Sequence, residues 1–344
     1  MKYKKTVFSV LCVSFLVVLV GCGLPKKEVV VYDTKPRVAA TIFPLYDIVK
    51  KVGGEKINVT LLLSPGASPH TFEPTPAMIR DTKGITHVFT IGLGVDNWAE
   101  SLVQAIGGAE SVDLSHVVPL LPFGEDDHDD HASHDDHDDH ASHDDHGDHD
   151  DHASHDDHDD HTSHDDHDDH DGHAHGEYDP HYWLDPNNAT LLANAIAEEL
   201  SEINPKEREY YMAQSAAFAK EINEKNIVWE KKLESLSSRD ILTFHDGWQY
   251  FARHFNLHIV GTFEPFPGKS PSPKAFAQLH NVVKTHNIQS VFIEPQLAQS
   301  AVESFAKDAG LTVFILDPLG GELSKKTYSE LIDYNVQQIY NALQ

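Results

Sequence analysis

The sequence predicts an α/β protein with two lobes, each a parallel β-sheet flanked by helices, joined by one long rigid helix. Three observations support this prediction. Short apolar runs alternate with helix-like stretches in residues 37–205, and the same alternation returns in residues 237–344. Strands that alternate with helices at this spacing form βαβ units, and these give parallel sheets. Between the two regions, residues 206–236 contain no glycine or proline.

The N-terminal lobe is predicted from three apolar runs that suit strands, at residues 38–42, 59–63 and 87–91, with helices at 44–52 and 97–106. A further helix is expected at 187–203, where small and apolar residues recur at helical spacing. Pro205 then occupies a helix-starting position. A helix over residues 206–236 would be about 45 Å long at 1.5 Å per residue. That length suits a strut between two lobes better than part of one core.

The C-terminal lobe repeats the alternation of strands and helices. Candidate strands are residues 240–244, 258–261, 290–293 and 312–316, and candidate helices are 247–255, 273–285, 298–309 and 326–343. In open α/β sheets, ligands bind outside the carboxyl ends of the strands. The expected ligand site is therefore the cleft between the lobes, with side chains from both.

A tract at residues 125–177 interrupts the first lobe and consists almost entirely of Asp, His, Ala and Ser. It holds 17 of the 26 histidines and 24 of the 55 acidic residues, with no Lys or Arg. Imidazole and carboxylate bind divalent transition metals, which predicts a secondary metal-binding loop, disordered because it has too few apolar residues to form a core. A solvated acidic spacer would not explain a histidine at nearly every third position. These histidines are His128, His131, His134, His137, His140, His143, His146, His149, His152, His155, His158, His161, His164, His167, His170, His173 and His175.

The charge of the chain is concentrated in the tract. The formal net charge is −29, and the tract contributes −24 of it. The rest of the chain has a nearly balanced surface without a basic stripe, so binding to nucleic acid is not expected.

The N-terminus has the pattern of an export signal. Lys2, Lys4 and Lys5 precede a short apolar run that ends in Leu-Val-Gly-Cys22. We interpret residues 1–21 as a signal peptide and 22–36 as a tether, the alternative being an uncleaved signal anchor. The ending resembles the bacterial lipoprotein signal, which implies that Cys22 is lipidated. Cys12 lies in the segment that would be removed, so the mature chain would have no disulfide.

Four potential metal ligands lie near predicted strand ends or helix starts, two in each lobe. His70 follows the second predicted strand in a proline-rich loop, and His181 precedes a helix start. His245 follows the first strand of the second lobe, and Asp317 follows its last strand. Each alone would more often be a capping or core residue. Together, three imidazoles and one carboxylate suit a tetrahedral zinc site.

Five motifs in order resemble the solute-binding lipoproteins of ABC transporters that import zinc or manganese. They are His70-Thr-Phe-Glu-Pro-Thr-Pro, Asp-Pro-His181-Tyr-Trp-Leu-Asp-Pro, Phe-His245-Asp, Phe-Ile-Glu294-Pro-Gln and Leu-Asp317-Pro-Leu-Gly. The resemblance covers the chain from about residue 37. It implies one metal ion in the interlobe cleft and delivery to an ABC permease with its ATPase. It also implies a monomer anchored by lipid to the outer face of the bacterial cell membrane.

The resemblance further implies zinc rather than manganese. Manganese members typically have a glutamate at the position of His245, and a nitrogen-rich donor set favours zinc. Asp317 is the expected fourth ligand, with Glu294 as its rival. Glu73, Asp185 and Asp246 are expected to orient ligand rings or to cap helices.

Other functions stay open at this point. A zinc hydrolase would be an alternative, but the sequence has no His-Glu-x-x-His helix and no general base placed by a motif. We therefore expect a protein that is not an enzyme. A zinc-buffering surface lipoprotein, an adhesin and a manganese-binding member of the same family are the remaining alternatives.

Overall fold

The computed structural model describes residues 35–123, 177–264, 272–297, 300–322 and 325–344. The predictions of a signal peptide, of lipidation at Cys22 and of a metal-binding loop with histidines from His128 to His175 lie outside the described residues. Within the described ranges, no helix is both long enough and apolar enough to span a membrane.

The first sheet is fully parallel, with the order β2-β1-β3-β4. Val38 in the first strand lies opposite both Val59 and His87, which places the most apolar strand in the interior of the sheet. The elements are β1 (Arg37–Ala40), α1 (Phe43–Gly53), β2 (Asn58–Leu61), α2 (Pro76–Asp81), β3 (His87–Thr90), α3 (Trp98–Ile106) and β4 (Glu110–Asp113).

Two long helices follow, α4 (Pro186–Ile203) and α5 (Arg208–Leu233). Asp185 caps α4, because its Oδ1 accepts a hydrogen bond of 2.8 Å from the backbone N–H of Asn187. The α5 helix has 26 residues and confirms the predicted long helix, although it starts two residues later and ends three residues earlier than predicted. Its buried residues recur at intervals of three, four or seven along one face, from Tyr211 to Leu233.

The second sheet has the equivalent order, β6-β5-β7-β8, and is also parallel. Its elements are β5 (Asp240–His245), α6 (Gln249–His254), β6 (His258–Glu264), α7 (Pro273–Thr285), β7 (Ser290–Ile293), α8 (Ser300–Ala309), β8 (Thr312–Ile315) and α9 (Tyr328–Leu343). The predicted fold class is therefore confirmed. In both sheets the first strand lies between the second and the third, which makes the carboxyl ends of these central strands the topological switch point where ligands bind.

The long helix α5 contacts elements of both lobes. It packs against α1 and α4 and also against α9. Glu221 of α5 pairs with Lys51 of α1 at 3.3 Å and accepts a hydrogen bond of 2.9 Å from Ser329 of α9. One cluster of buried apolar residues runs from Val38 through Trp229 to Ile332, so the two sheets share a core around this helix. The lobe boundaries at residues 205 and 237 stay a prediction.

Candidate metal centre

His70 lies in a loop that follows β2. A single 3-10 turn, Pro69–Thr71, holds its backbone, and the preceding Pro69 is buried. Its ring is only partly buried, unlike the other two histidines of the site. His70 is therefore the ligand candidate nearest to solvent.

His181 lies in the segment that leads into α4. Its backbone N–H and its ring Nδ1–H both donate to Asp179 Oδ1, at 2.9 and 2.7 Å. Asp179 is itself fixed, since its backbone N–H donates to the carbonyl oxygen of Leu121 at 2.9 Å. Both side chains are almost fully buried. The carboxylate thus sets the orientation of the ring and leaves Nε2 pointing away from it.

His245 is the last residue of β5, and Glu294 directly follows β7. These are the two central strands at the switch point of the second sheet. The Nδ1–H of His245 donates to Glu294 Oε1 at 2.5 Å, and the same oxygen accepts a hydrogen bond of 2.9 Å from Trp248 Nε1. Glu294 therefore orients His245 as Asp179 orients His181.

The three Nε2 atoms converge on one point. His181 Nε2 lies 3.3 Å from His70 Nε2 and 3.3 Å from His245 Nε2. A tetrahedral zinc ion with Zn–N bonds of 2.0–2.1 Å holds its nitrogen ligands about 3.3 Å apart. Among the described residues, these histidines form the one group of three or more His, Cys, Asp or Glu with ligand atoms within 4.8 Å of one another. The geometry can hold a tetrahedral metal ion.

The absence of a side chain at Gly247 leaves room beside these nitrogens. A Cβ built at Gly247 would lie 2.5 Å from His245 Nε2 and 3.1 Å from His181 Nε2. The histidines also line a cavity together with Trp183, Gln296 and Leu319. Apolar and amide side chains thus surround the converging nitrogens.

The Glu294 carboxylate affects the protonation of His245. Burial lowers the pKa of His245, but the negative charge and hydrogen bond of Glu294 raise it by more, so the net pKa lies above its usual value. Because only the neutral imidazole can bind a metal through Nε2, protons should compete with metal at this ligand.

Asp317 lies outside the group of converging ligand atoms. Its Oδ2 pairs with Lys325 Nζ at 2.6 Å. Its Oδ1 accepts hydrogen bonds from Gln296 Nε2 at 2.8 Å and from the backbone N–H groups of Leu319 and Gly320, both at 3.0 Å. Burial raises the pKa of Asp317, but the hydrogen bonds outweigh it and leave the pKa below its usual value. The structure thus brings together three of the four predicted ligands and places the fourth in a separate ion pair.

The carboxylates that accept the ring hydrogen bonds of His181 and His245 are Asp179 and Glu294. Asp185 caps α4 and pairs with His254 at 2.7 Å, and Asp246 accepts a hydrogen bond of 3.1 Å from Gln249. Asp185 thus has the capping role that was expected, and Glu294, the rival fourth ligand, orients a ring. Asp179 was overlooked although it stands two residues before His181 in the same motif. No sequence pattern pointed to Lys325.

This fold and this site define a two-lobed solute-binding protein with a metal site at the strand ends. Residues 38–342 match the model of the family described as zinc-uptake complex component A, periplasmic. The chain belongs to this family, and the predicted resemblance is confirmed. Members of the family bind a solute rather than transform it, so the chain is not an enzyme.

Individual relatives carry zinc and manganese in their names. The chain is 25% identical to the zinc-binding lipoprotein AdcA of Streptococcus pneumoniae over 93% of this chain and 56% of AdcA, so it spans little more than half of that relative. It is 21% identical to the manganese-binding lipoprotein MntA of Halalkalibacterium halodurans over 99% of both chains. It is also similar to a zinc-bound crystal structure of a ZnuA deletion mutant, with 26% identity, a TM-score of 0.69, and coverage of 90% of this chain and 98% of that one.

The orienting role of Glu294 leads to a testable prediction. In Glu294→Gln, the side chain keeps its size but loses the charge that holds the Nδ1–H of His245. We expect zinc affinity to fall by about 10- to 100-fold, as is typical when the partner of a metal-binding histidine is removed. Competition with a chelating dye at pH 7.5 measures this change. Glu303→Gln, at an exposed position in the first turn of α8, is the control, and an equal loss in both variants would contradict the assigned role.

Proposed function

We propose that this protein is an extracytoplasmic high-affinity receptor for Zn²⁺ that delivers the ion to an ABC permease for import. The observation that carries the proposal is the convergence of three Nε2 atoms, with that of His181 3.3 Å from those of His70 and His245. His70, His181 and His245 are the proposed ligands. They bind the ion without chemistry, since the cargo leaves unchanged.

Zinc is favoured over manganese by the donor set. All three converging donors are imidazole nitrogens, which suit zinc, whereas carboxylate-rich sites suit manganese. Asp317, the candidate that would add a carboxylate oxygen, is paired with Lys325 at 2.6 Å. Manganese is the second candidate, because the relative that matches over 99% of both chains is named a manganese-binding lipoprotein.

The family and the N-terminal pattern support the proposed location and partners. The family description contains the word periplasmic, and relatives are named lipoproteins. We propose that Cys22 anchors the protein to the outer face of the cell membrane, where a permease powered by its ATPase receives the ion. The tract at residues 125–177 would bind further ions weakly and raise the local zinc concentration.

Because the two sheets share a core around α5, only small motions of the two lobes would accompany release of the ion.

The sharpest test separates the three-histidine site from the tract. The backbone N–H of Phe123 donates to the carbonyl oxygen of Glu177 at 3.0 Å, and Pro122 pairs with Tyr178 in an antiparallel bridge. Residues 124–176 can therefore be replaced by Asn-Gly, which closes a tight hairpin. We expect this variant to keep one tightly bound Zn²⁺ that excess Mn²⁺ does not displace, as measured by metal analysis after dialysis. No stoichiometric metal would identify the tract as the binder, and displacement by Mn²⁺ would identify a manganese receptor.

Delivery to a permease needs a cellular test. A strain without the gene should grow poorly under zinc chelation, and growth should return with the natural gene but not with His181→Ala. Normal growth of the deletion strain would favour a buffering or adhesive role instead.

A further inference from the structure

The ion pair of Asp317 with Lys325 is buried beside the three-histidine site. Asp317 is 1% exposed and Lys325 is 6% exposed, and Lys325 Nζ also lies 4.6 Å from the centre of the Tyr334 ring. The neighbours of Asp317 connect it to the site, because Gln296, which donates to its carboxylate, lines the same cavity as the three histidines. A charged pair thus lies one side chain away from the converging nitrogens.

Both oxygens of the Asp317 carboxylate are bound by neighbouring groups. Oδ1 accepts three hydrogen bonds from Gln296, Leu319 and Gly320, and Oδ2 is bound by Lys325. The backbone of Asp317 is fixed as well, since its N–H donates to Asn335 Oδ1 and its carbonyl accepts from Asn335 Nδ2, both at 2.8 Å. A move of this carboxylate towards the metal would leave Lys325 as a buried cation without its counter-ion, which is strongly unfavourable.

The consequence concerns which metal the site prefers. An aspartate oxygen added to three imidazoles would supply a harder donor and a negative charge, and both favour manganese relative to an all-nitrogen set. We propose that Lys325 is a specificity-determining residue that acts through Asp317, keeping this carboxylate out of the ligand set and so holding the site to nitrogen donors. This inference rests on the proposed function as a zinc receptor.

The experiment compares full-length variants that all carry the same tract, so that the tract's contribution cancels. Lys325→Met keeps the length of the side chain and removes its charge, which frees Oδ2 of Asp317 for a metal ion while Oδ1 can keep its hydrogen bonds. We expect the ratio of zinc to manganese affinity to fall by about 10-fold or more, since changes to groups outside the ligand set alter the affinity for a single metal by about 10- to 100-fold. Competition titrations with both metals measure this ratio. The absorption spectrum of the Co²⁺-loaded protein should also change, because the ligand field gains an oxygen donor.

Two further variants separate specificity from a merely structural role. Lys325→Arg keeps the positive charge and should keep the natural ratio. Lys325→Met combined with Asp317→Asn removes the carboxylate that was freed, and should return both the ratio and the Co²⁺ spectrum towards those of the natural protein. A shift that persists in the double variant would overturn the proposal, and so would an unchanged ratio in folded Lys325→Met. If Lys325→Met does not fold by circular dichroism, Lys325→Gln takes its place under the same criteria.

Zinc binding by the natural protein distinguishes a failure of this inference from a failure of the proposed function. If the natural protein binds no zinc through His245, the receptor function itself is wrong. If it binds zinc through His245 but the affinity ratio does not respond to Lys325, only the specificity role is wrong.

Discussion

Replacing His245 by alanine should lower zinc affinity by more than about 100-fold, beyond the loss typical of an orienting residue. The substitution removes one of the three converging nitrogens and leaves two imidazoles. It also removes the Nδ1–H from which Glu294 accepts a hydrogen bond of 2.5 Å, so a buried carboxylate loses one of its donors. Competition with a high-affinity chelator, followed by metal analysis of the dialysed protein, measures the loss.

A histidine of the same lobe provides the matched control. His258 is the first residue of β6, its side chain is 62% exposed, and it pairs with Asp240 at 3.1 Å. His258→Ala should keep the zinc affinity of the natural protein. Equal affinity in the His245 and His258 variants would show that the tight site lies elsewhere. The thermal stabilisation by a fixed concentration of added zinc should fall in His245→Ala but not in His258→Ala, since a ligand that binds only the folded state stabilises it by an amount that rises with the logarithm of the ligand concentration divided by Kd.

The sequence predicted the elements whose apolar pattern is strongest. The strand at 290–293 and the helix at 273–285 have the predicted bounds, since the strand is a run of buried residues and Ser272 and Pro273 mark the helix start. The missed elements have weak patterns. In β4, the residues Glu-Ser-Val-Asp are exposed or half-buried at a sheet edge, and α2 is a six-residue helix within a proline-rich loop. Thr75 caps the start of α2, because its side chain accepts a hydrogen bond from the backbone N–H of Met78. This cap is visible only in the structure.

The candidate site was predictable as far as backbone position decides it. Strand ends of parallel sheets share one edge, and this placed His245 beside Glu294 and near the other two histidines. The direction of a side chain is a different matter. Asp317 also follows a strand, yet Lys325, eight residues further along the chain, binds its carboxylate. Lys325 belongs to none of the five motifs, so the sequence offered no reason to pair it with Asp317.

Replacing Trp229 by alanine should lower the free energy of unfolding by about 3–5 kcal/mol, the usual loss for a buried tryptophan. Trp229 lies in the second half of α5, is 2% exposed, and belongs to the core that the two sheets share. Its Nε1 donates to Asp333 Oδ1 of α9 at 2.5 Å, which connects the long helix to the second lobe. The substitution would therefore create a cavity and remove a hydrogen bond at the same contact. Urea denaturation of the metal-free protein at 25 °C measures the change.

The preceding residue on the same helix is the control for this prediction. Val228 is 64% exposed, so Val228→Ala should change the free energy of unfolding by less than about 0.5 kcal/mol. Similar small losses in both variants would mean that α5 is not held against α9 as the structure shows. Trp229 does not line the cavity of the three histidines. The zinc affinity of Trp229→Ala, measured well below the melting temperature, should therefore stay close to that of the natural protein. A large loss of affinity in this variant would mean that the position of α5 controls the geometry of the metal site, because the helix would then determine how closely the two lobes bring His70 and His245 together.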